Sequence, residues 1–263
     1  LACELARNER IGKLQAINVW SPGSSSGGPT DVVPVPEGLD YDFWLGPAPL
    51  KPYTRDRSTN QWWWFISDYA LGFIAGWGIH PMDIAAWGAG DKLDGTVEVE
   101  GKGDFPKDGL CDTATNWRVA MRFSSGLTIQ FDGTPKREEW TKRYPRSESH
   151  GTAFEGTEGW VHVHRGLSNS SPEGLVRSEI GPQGIRLDRS EGHVRNFLDC
   201  VRSRKKAVSD IDEAVRSETL CQVSEIAIRL GRKVRWDWKT ETFPGDEEAN
   251  RRLTRPMRAP WAL

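Results

Sequence analysis

The stretch Ala114-Thr115-Asn116-Trp117-Arg118-Val119-Ala120-Met121-Arg122-Phe123-Ser124-Ser125-Gly126-Leu127-Thr128-Ile129-Gln130-Phe131-Asp132 decides the fold. Ala114–Phe123 alternates polar and apolar residues with the period of a half-buried strand, and Leu127–Asp132 resumes the pattern after a Ser-Ser-Gly turn. Runs of similar character lie at Thr96–Gly101 and Gly159–His164, the latter entered through the turn Thr157-Glu158-Gly159. Strands bunched without intervening helices predict an antiparallel sheet. Two helices close the pattern, about Gly192–Ser203 and Asp210–Leu230. The second is stopped by Gly231, with Arg229, Arg232 and Lys233 around its C-terminus.

Towards the N-terminus, residues 2–9 read as the end of a helix, Gly12 punctuates, and Leu14–Trp20 reads as a strand. Ser21–Pro52 then contains Pro22, Pro29, Pro34, Pro36, Pro47, Pro49 and Pro52, which excludes regular helix or a central strand. Tyr41, Phe43 and Trp44 make this Pro/Gly-rich segment, 21–60, an ordered loop rather than a free tether. Ile79–Trp87 fits a helix, and the tail 238–263 is expected to wrap over the surface. One domain over 1–263 is the expectation.

Thirty-five basic against 37 acidic residues give a net charge of -2, with no basic stripe for a phosphate backbone, so no nucleic acid partner is expected. Arg202, Arg204, Lys205 and Lys206 read as cations at a helix C-terminus. No apolar run is long enough to cross a bilayer and the first residues lack a signal-peptide pattern, so no membrane partner is expected and the compartment stays open. Cys3, Cys111, Cys200 and Cys221 form no C-x-x-C pair and are expected as buried thiols, Cys200 and Cys221 on apolar helix faces. The 13 Trp residues, several in polar contexts, suit stacking on sugars as well as core packing.

Chemistry concentrates in Asp68–Trp87, where Gly72, Gly76 and Gly78 lead into a helix whose first turn holds His80. His80, Asp83 and Trp87 stand at i, i+3 and i+7, one helix face carrying an imidazole, a carboxylate to orient it and an aromatic wall. A core-bound capping histidine is the alternative. Arg55, Asp68 and Tyr69 are candidates for hydrogen bonds to sugar hydroxyls, together with Asp42, while Trp64 and Trp77 offer stacking faces beside Trp62 and Trp63. His193 and Asn196 share a helix face and are a further candidate pair. His162 and His164 have H-x-H spacing, with surface or dimer-face packing the favoured reading over a metal site. Glu155 and Glu158 flank a turn, as a solvated pair or a carboxylate pair for glycosidic chemistry. No G-x-G-x-x-G and no phosphate-binding loop occurs, so no cofactor is placed on this chain.

Gly72–Trp87 resembles the glycine-rich segment before the catalytic-histidine helix of the Gfo/Idh/MocA family (glucose-fructose oxidoreductase and inositol dehydrogenase). Tyr41–Pro47, Glu155–Trp160, Asn196–Arg204 and Gly231–Asp237 are similar to further family segments, in the family's order. The resemblance implies an α+β C-terminal domain: a large, mostly antiparallel open β-sheet with helices packed on one face. The other face would form a homodimer or homotetramer through the sheet. A sugar would lie between this domain and a Rossmann domain, absent here, that carries NAD or NADP in a full-length relative. His80 takes the position that handles the hydroxyl proton, assisted in the family by a Rossmann lysine and by an Asp four residues before the His. That Asp is Gly76 here, leaving Asp83 as the nearest orienter.

Three functions compete. The chain is the carbohydrate-binding half of a nicotinamide-dependent sugar oxidoreductase, not redox-competent alone. It is a stand-alone, nicotinamide-independent enzyme, a glycoside hydrolase, lyase or isomerase, acting on a sugar or glycoside through His80. Or it is a non-catalytic sugar-binding or scaffold module.

Overall fold

In the computed structural model, which describes residues 1–134 and 136–261, strands β1 (Leu14–Trp20), β2 (Thr96–Asp104), β3 (Asn116–Phe123), β4 (Thr128–Asp132), β5 (Gly151–Gly156), β6 (Trp160–His164), β7 (Leu167–Ser171) and β8 (Val234–Asp237) form one sheet. The order is β7-β6-β5-β1-β4-β3-β2-β8. The 114–132 hairpin forms as read, with Met121 opposite Ile129. All neighbours pair antiparallel except β1 and β4, which run parallel, so the sheet is mixed.

Helices α1 (Ala2–Arg7), α2 (Tyr41–Leu45), α3 (Phe73–Gly76), α4 (Ile79–Ala89), α5 (Glu138–Arg143), α6 (His193–Ser203), α7 (Ile211–Leu230) and α8 (Glu247–Asn250) are the α-helices among the described residues, with short 3-10 turns at Trp63–Phe65, Gly90–Leu93 and Leu175–Arg177. α1, α4 and α7 cover one face of the sheet. The inward set of each strand meets them: Val97 and Val99, Trp117, Val119, Met121 and Phe123, and Ile129 and Phe131 are all buried. Each such side chain contributes about 1.5–3 kcal/mol by leaving water. Gly88 lets α4 lie directly on β5, since a Cβ there would sit 2.2 Å from the Phe154 ring. Asp210 caps α7 by accepting from the Asp212 amide at 2.9 Å, and Gly231 ends it in the left-handed region.

The opposite face is divided. Over β1, β5 and β6 it is roofed by α5 and its flanking loops, which bury Trp20, Trp140, Tyr144 and Trp160 together. Over β2, β3 and β8 it presents exposed Glu98, Lys102, Arg118, Arg122 and Arg235.

Several expectations are corrected. β5, β7 and β8 were not separated from turns: β5 is buried on both faces and shows no alternation, and β7 is a polar edge strand. The proline-rich segment holds one short helix, α2, capped by Asp40, whose side chain accepts from the Phe43 amide. α6 forms but buries none of its residues: Val194, Phe197, Leu198 and Val201 face outward, and Cys200 is half-buried with its thiol 3.4 Å from the Lys206 carbonyl. The tail returns through buried Phe243 and Ala249 before Arg258 clamps it to Asp42 and the Gly46 carbonyl. No helix among the described residues is long and apolar enough to cross a membrane.

Candidate active site

α3 and α4 are joined by Trp77 and Gly78, and the candidate residues sort onto two flanks of this junction. On the first flank His80, in the opening turn of α4, faces solvent. Trp77 meets its ring edge-on at 5.3 Å and His150 lies tilted against Trp77 at 4.8 Å. The Arg165 guanidinium covers the indole at 5.1 Å. Partial burial, then the Arg165 charge, pull the His80 pKa below the ordinary imidazole value, while Asp83 pulls it back up. The neutral ring, able to accept a proton, is thereby favoured at neutral pH.

Asp83 does not orient the imidazole through a hydrogen bond. Its carboxylate accepts instead from the Ser217 hydroxyl at 2.8 Å, tying α4 to α7, and it acts on His80 through charge alone. Trp87 is no pocket wall either, being half-buried against the core.

The second flank is a groove lined by Trp63, Trp64, Gly76, Ile79, Glu218 and Gln222, among others, with a volume of about 600 Å³. It continues past Tyr69 and Arg255 into a further 720 Å³ bounded by Trp44, Pro47, Pro49 and Asp68. Trp63 and Trp64 stack at 4.6 Å. The edge of Trp64 occupies the space above Gly76, where a Cβ would come within 2.6 Å of the ring. A carboxylate at residue 76 is therefore excluded by the indole. Tyr69 packs edge-on to Trp44 at 4.9 Å, and its hydroxyl accepts from Arg57 at 3.1 Å. Asp68 pairs with Lys51 at 2.5 Å.

Arg55, in contrast, is exposed and has no hydrogen-bond or ion-pair partner among the described residues; the buried guanidinium of this segment is Arg57. His193 is exposed on α6, and the Asn196 side chain accepts from the Val208 amide at 3.0 Å, a loop contact. Neither joins the groove lining. His162 and His164 are buried: His162 stacks on Trp20 at 5.2 Å and on Tyr144 at 5.6 Å, and His164 sits 3.2 Å from the Arg146 carbonyl. Glu155 is held by Arg143 through two contacts of 2.6 Å and by the Tyr144 hydroxyl at 2.5 Å, while Glu158 is exposed, so they form no catalytic pair. No group of three His, Cys, Asp or Glu among the described residues could hold a metal ion.

Sequence reasoning missed Glu218, Gln222 and Arg255. Glu218 and Gln222 stand at i and i+4 of α7, readable as one face, but nothing in the sequence sets that face opposite Trp64.

A mixed sheet backed by helices, with an imidazole at the start of one of them beside an aromatic groove, has the architecture of an oxidoreductase C-terminal α/β domain. The chain belongs to the Gfo/Idh/MocA family: the family's model described as oxidoreductase family, C-terminal alpha/beta domain, matches residues 20–263. Among solved structures it is similar to the WlbA dehydrogenase from Bordetella pertussis in complex with NADH and UDP-GlcNAcA, with a TM-score of 0.53 and 14% identity over 89% of this chain and 59% of that one. GenD2 from gentamicin A biosynthesis, in complex with NAD, gives 0.52 and 19% over 89% and 59%. Aldose-aldose oxidoreductase from Caulobacter crescentus, complexed with glycerol, gives 0.51 and 14% over 89% and 58%. At these identities the likeness is one of fold. The chain thus spans less than three-fifths of the length of each of these three. No curated protein matches it.

Proposed function

We propose that this chain is the substrate-binding half of a nicotinamide-dependent sugar oxidoreductase, with His80 as the residue that exchanges the hydroxyl proton. The observation that carries the reading is His80 itself, presented to solvent at the start of α4 with its neutral form favoured, in a domain of an oxidoreductase family. Its unprotonated nitrogen would accept the proton of the hydroxyl undergoing oxidation. NAD or NADP would supply the hydride acceptor. The sequence offers no glycine-rich turn for a pyrophosphate, so the dinucleotide is assigned to residues outside this chain and no step is drawn through it. The outward apolar face of α6, with exposed Ile211 and Val215 beside it, supports a further domain packing there. The uncovered, charged half of the sheet over β2, β3 and β8 is the surface proposed for pairing with a second copy.

A second reading rests on Gly76. Without a carboxylate four residues before His80, the site departs from the family pattern, which favours chemistry independent of nicotinamide. Mass-spectrometric product analysis of the chain with a panel of sugars and aryl glycosides, no nicotinamide added, separates the two. The first reading expects no product. A product that disappears in His80→Ala would replace it with the second.

A further inference from the structure

We infer that Glu218, braced by Gln222, is the polar clamp of the aromatic groove and binds a pair of neighbouring hydroxyls on a ring stacked against the Trp63/Trp64 pair; this rests on the sugar reading above. Glu218 is the one carboxylate among the described residues lining the 600 Å³ part of the groove, where Trp63, Trp64 and Gly76 supply the apolar wall. It projects from the second turn of α7, directly after Ser217, whose hydroxyl bond to Asp83 fixes that turn against α4. The clamp is thereby set in register with the helix that carries His80.

The groove has the two properties a sugar site needs. Stacked indoles present flat apolar surface to the C–H side of a ring. The same groove holds a carboxylate with spare acceptor capacity: Glu218 Oε1 accepts from Gln222 Nε2 at 3.0 Å, and no other hydrogen bond to it is made among the described residues. A carboxylate offers about four lone-pair sites, so one oxygen and part of the other stay open to donors. Neighbouring hydroxyls match that geometry, whereas a lone apolar ligand would leave a half-buried carboxylate desolvated at a cost. Burial raises the Glu218 pKa, with the Gln222 amide opposing, as fits a group waiting in a cleft for donors. Arg255, from the tail, is the one cation among the described residues at the same rim.

The test uses the full chain, with myo-inositol, D-glucose and methyl β-D-glucopyranoside as probes, followed by saturation-transfer NMR and calorimetry. Hydrogen bonds to a charged group are worth about 1.5–3 kcal/mol, so Glu218→Gln is expected to weaken binding about 10–100-fold. Its size is unchanged, and its thermal unfolding should match wild type. Trp64→Leu should weaken the same probe and abolish transfer to the ring C–H protons. A binding constant unmoved by Glu218→Gln overturns the clamp while leaving the sugar reading standing. Failure of every probe to bind wild type overturns both. If Glu218→Gln also lowers the unfolding temperature, Gln222→Leu and the 2-deoxy analogue of glucose supply the second measurement: the clamp requires that removing a hydroxyl cost wild type far more than it costs the variant.

Discussion

The two flanks of the α3–α4 junction are built on opposite principles. Around His80 the fold assembles imidazoles: His150 lies on Trp77, His164 is 5.9 Å from His150, and His162 is 5.5 Å further in, ending on Trp20. Around Gly76 it removes functional groups from the backbone and fills the space with indole. A polar series running from surface to core must change character with depth, and it does. His80 at the rim can exchange protons with solvent, whereas His162, fully buried, is held neutral. The 600 Å³ part of the groove keeps its one carboxylate among the described residues, Glu218, on a neighbouring helix. The first flank is ordered by electrostatics, and the second by shape.

The largest consequence should appear in acid. Burial, opposed by the Asn169 side chain at 3.0 Å, depresses the His162 pKa to about 4. The unfolded chain titrates near the ordinary value of about 6.5, so between these limits the unfolded state binds more protons and stability rises with pH. The contribution is whole above about pH 6.5 and declines as pH drops towards 4, by about 3 kcal/mol in all. Urea unfolding of wild type and His162→Gln across this window should show the decline in wild type and a flatter dependence in the variant. Parallel curves would mean the inner imidazoles carry no such penalty and would erase the contrast with depth.

The groove flank gives a smaller, steric effect. Ala is favoured over Gly within a helix by up to about 1 kcal/mol. At residue 76 the added Cβ meets the Trp64 ring at 2.6 Å, and an indole stacked on Trp63 cannot swing aside as a flexible chain end would. Overpacking costs about 1–3 kcal/mol, so Gly76→Ala should destabilise on balance. In a Trp64→Leu background the same change should become neutral or favourable. A double-mutant cycle with no coupling would separate residue 76 from the indole.

How far the sequence disclosed all this follows the same division. The 114–132 hairpin and α7 were legible because alternation and a 3.6-residue period record burial directly. The place of His80 at a helix start was legible because glycines and a histidine there form a local pattern. The groove was not: Trp64, Gly76, Glu218 and Arg255 come from separate segments, and only the tertiary fold brings them together. Arg55 and Arg57 show the limit most plainly. Two residues apart and chemically identical, one is exposed and the other buried against Tyr69, and no propensity distinguishes them. The partnership expected of Asp83 failed because Ser217, 134 residues along, claimed the carboxylate first.

The smallest effect tests the rim alone. Arg165 is exposed, and its charge disfavours the imidazolium of His80 across the face of Trp77. Arg165→Gln should raise the His80 titration midpoint, and Asp83→Asn, which removes the opposing charge, should lower it. Both midpoints can be followed in the ring 1H–13C signals, with His80→Gln to assign the resonance. Arg165→Gln should cost no more than about 0.5 kcal/mol of stability, because a surface substitution away from the core rarely does. Screening sets a further condition. At 1 M salt the Debye length shrinks to about 3 Å, so the difference between wild type and Arg165→Gln should narrow there, while the part of the depression that comes from burial should persist. A shift that ignores salt would place Arg165's influence in how it packs Trp77 against the imidazole, and would make the rim of the first flank a matter of shape after all.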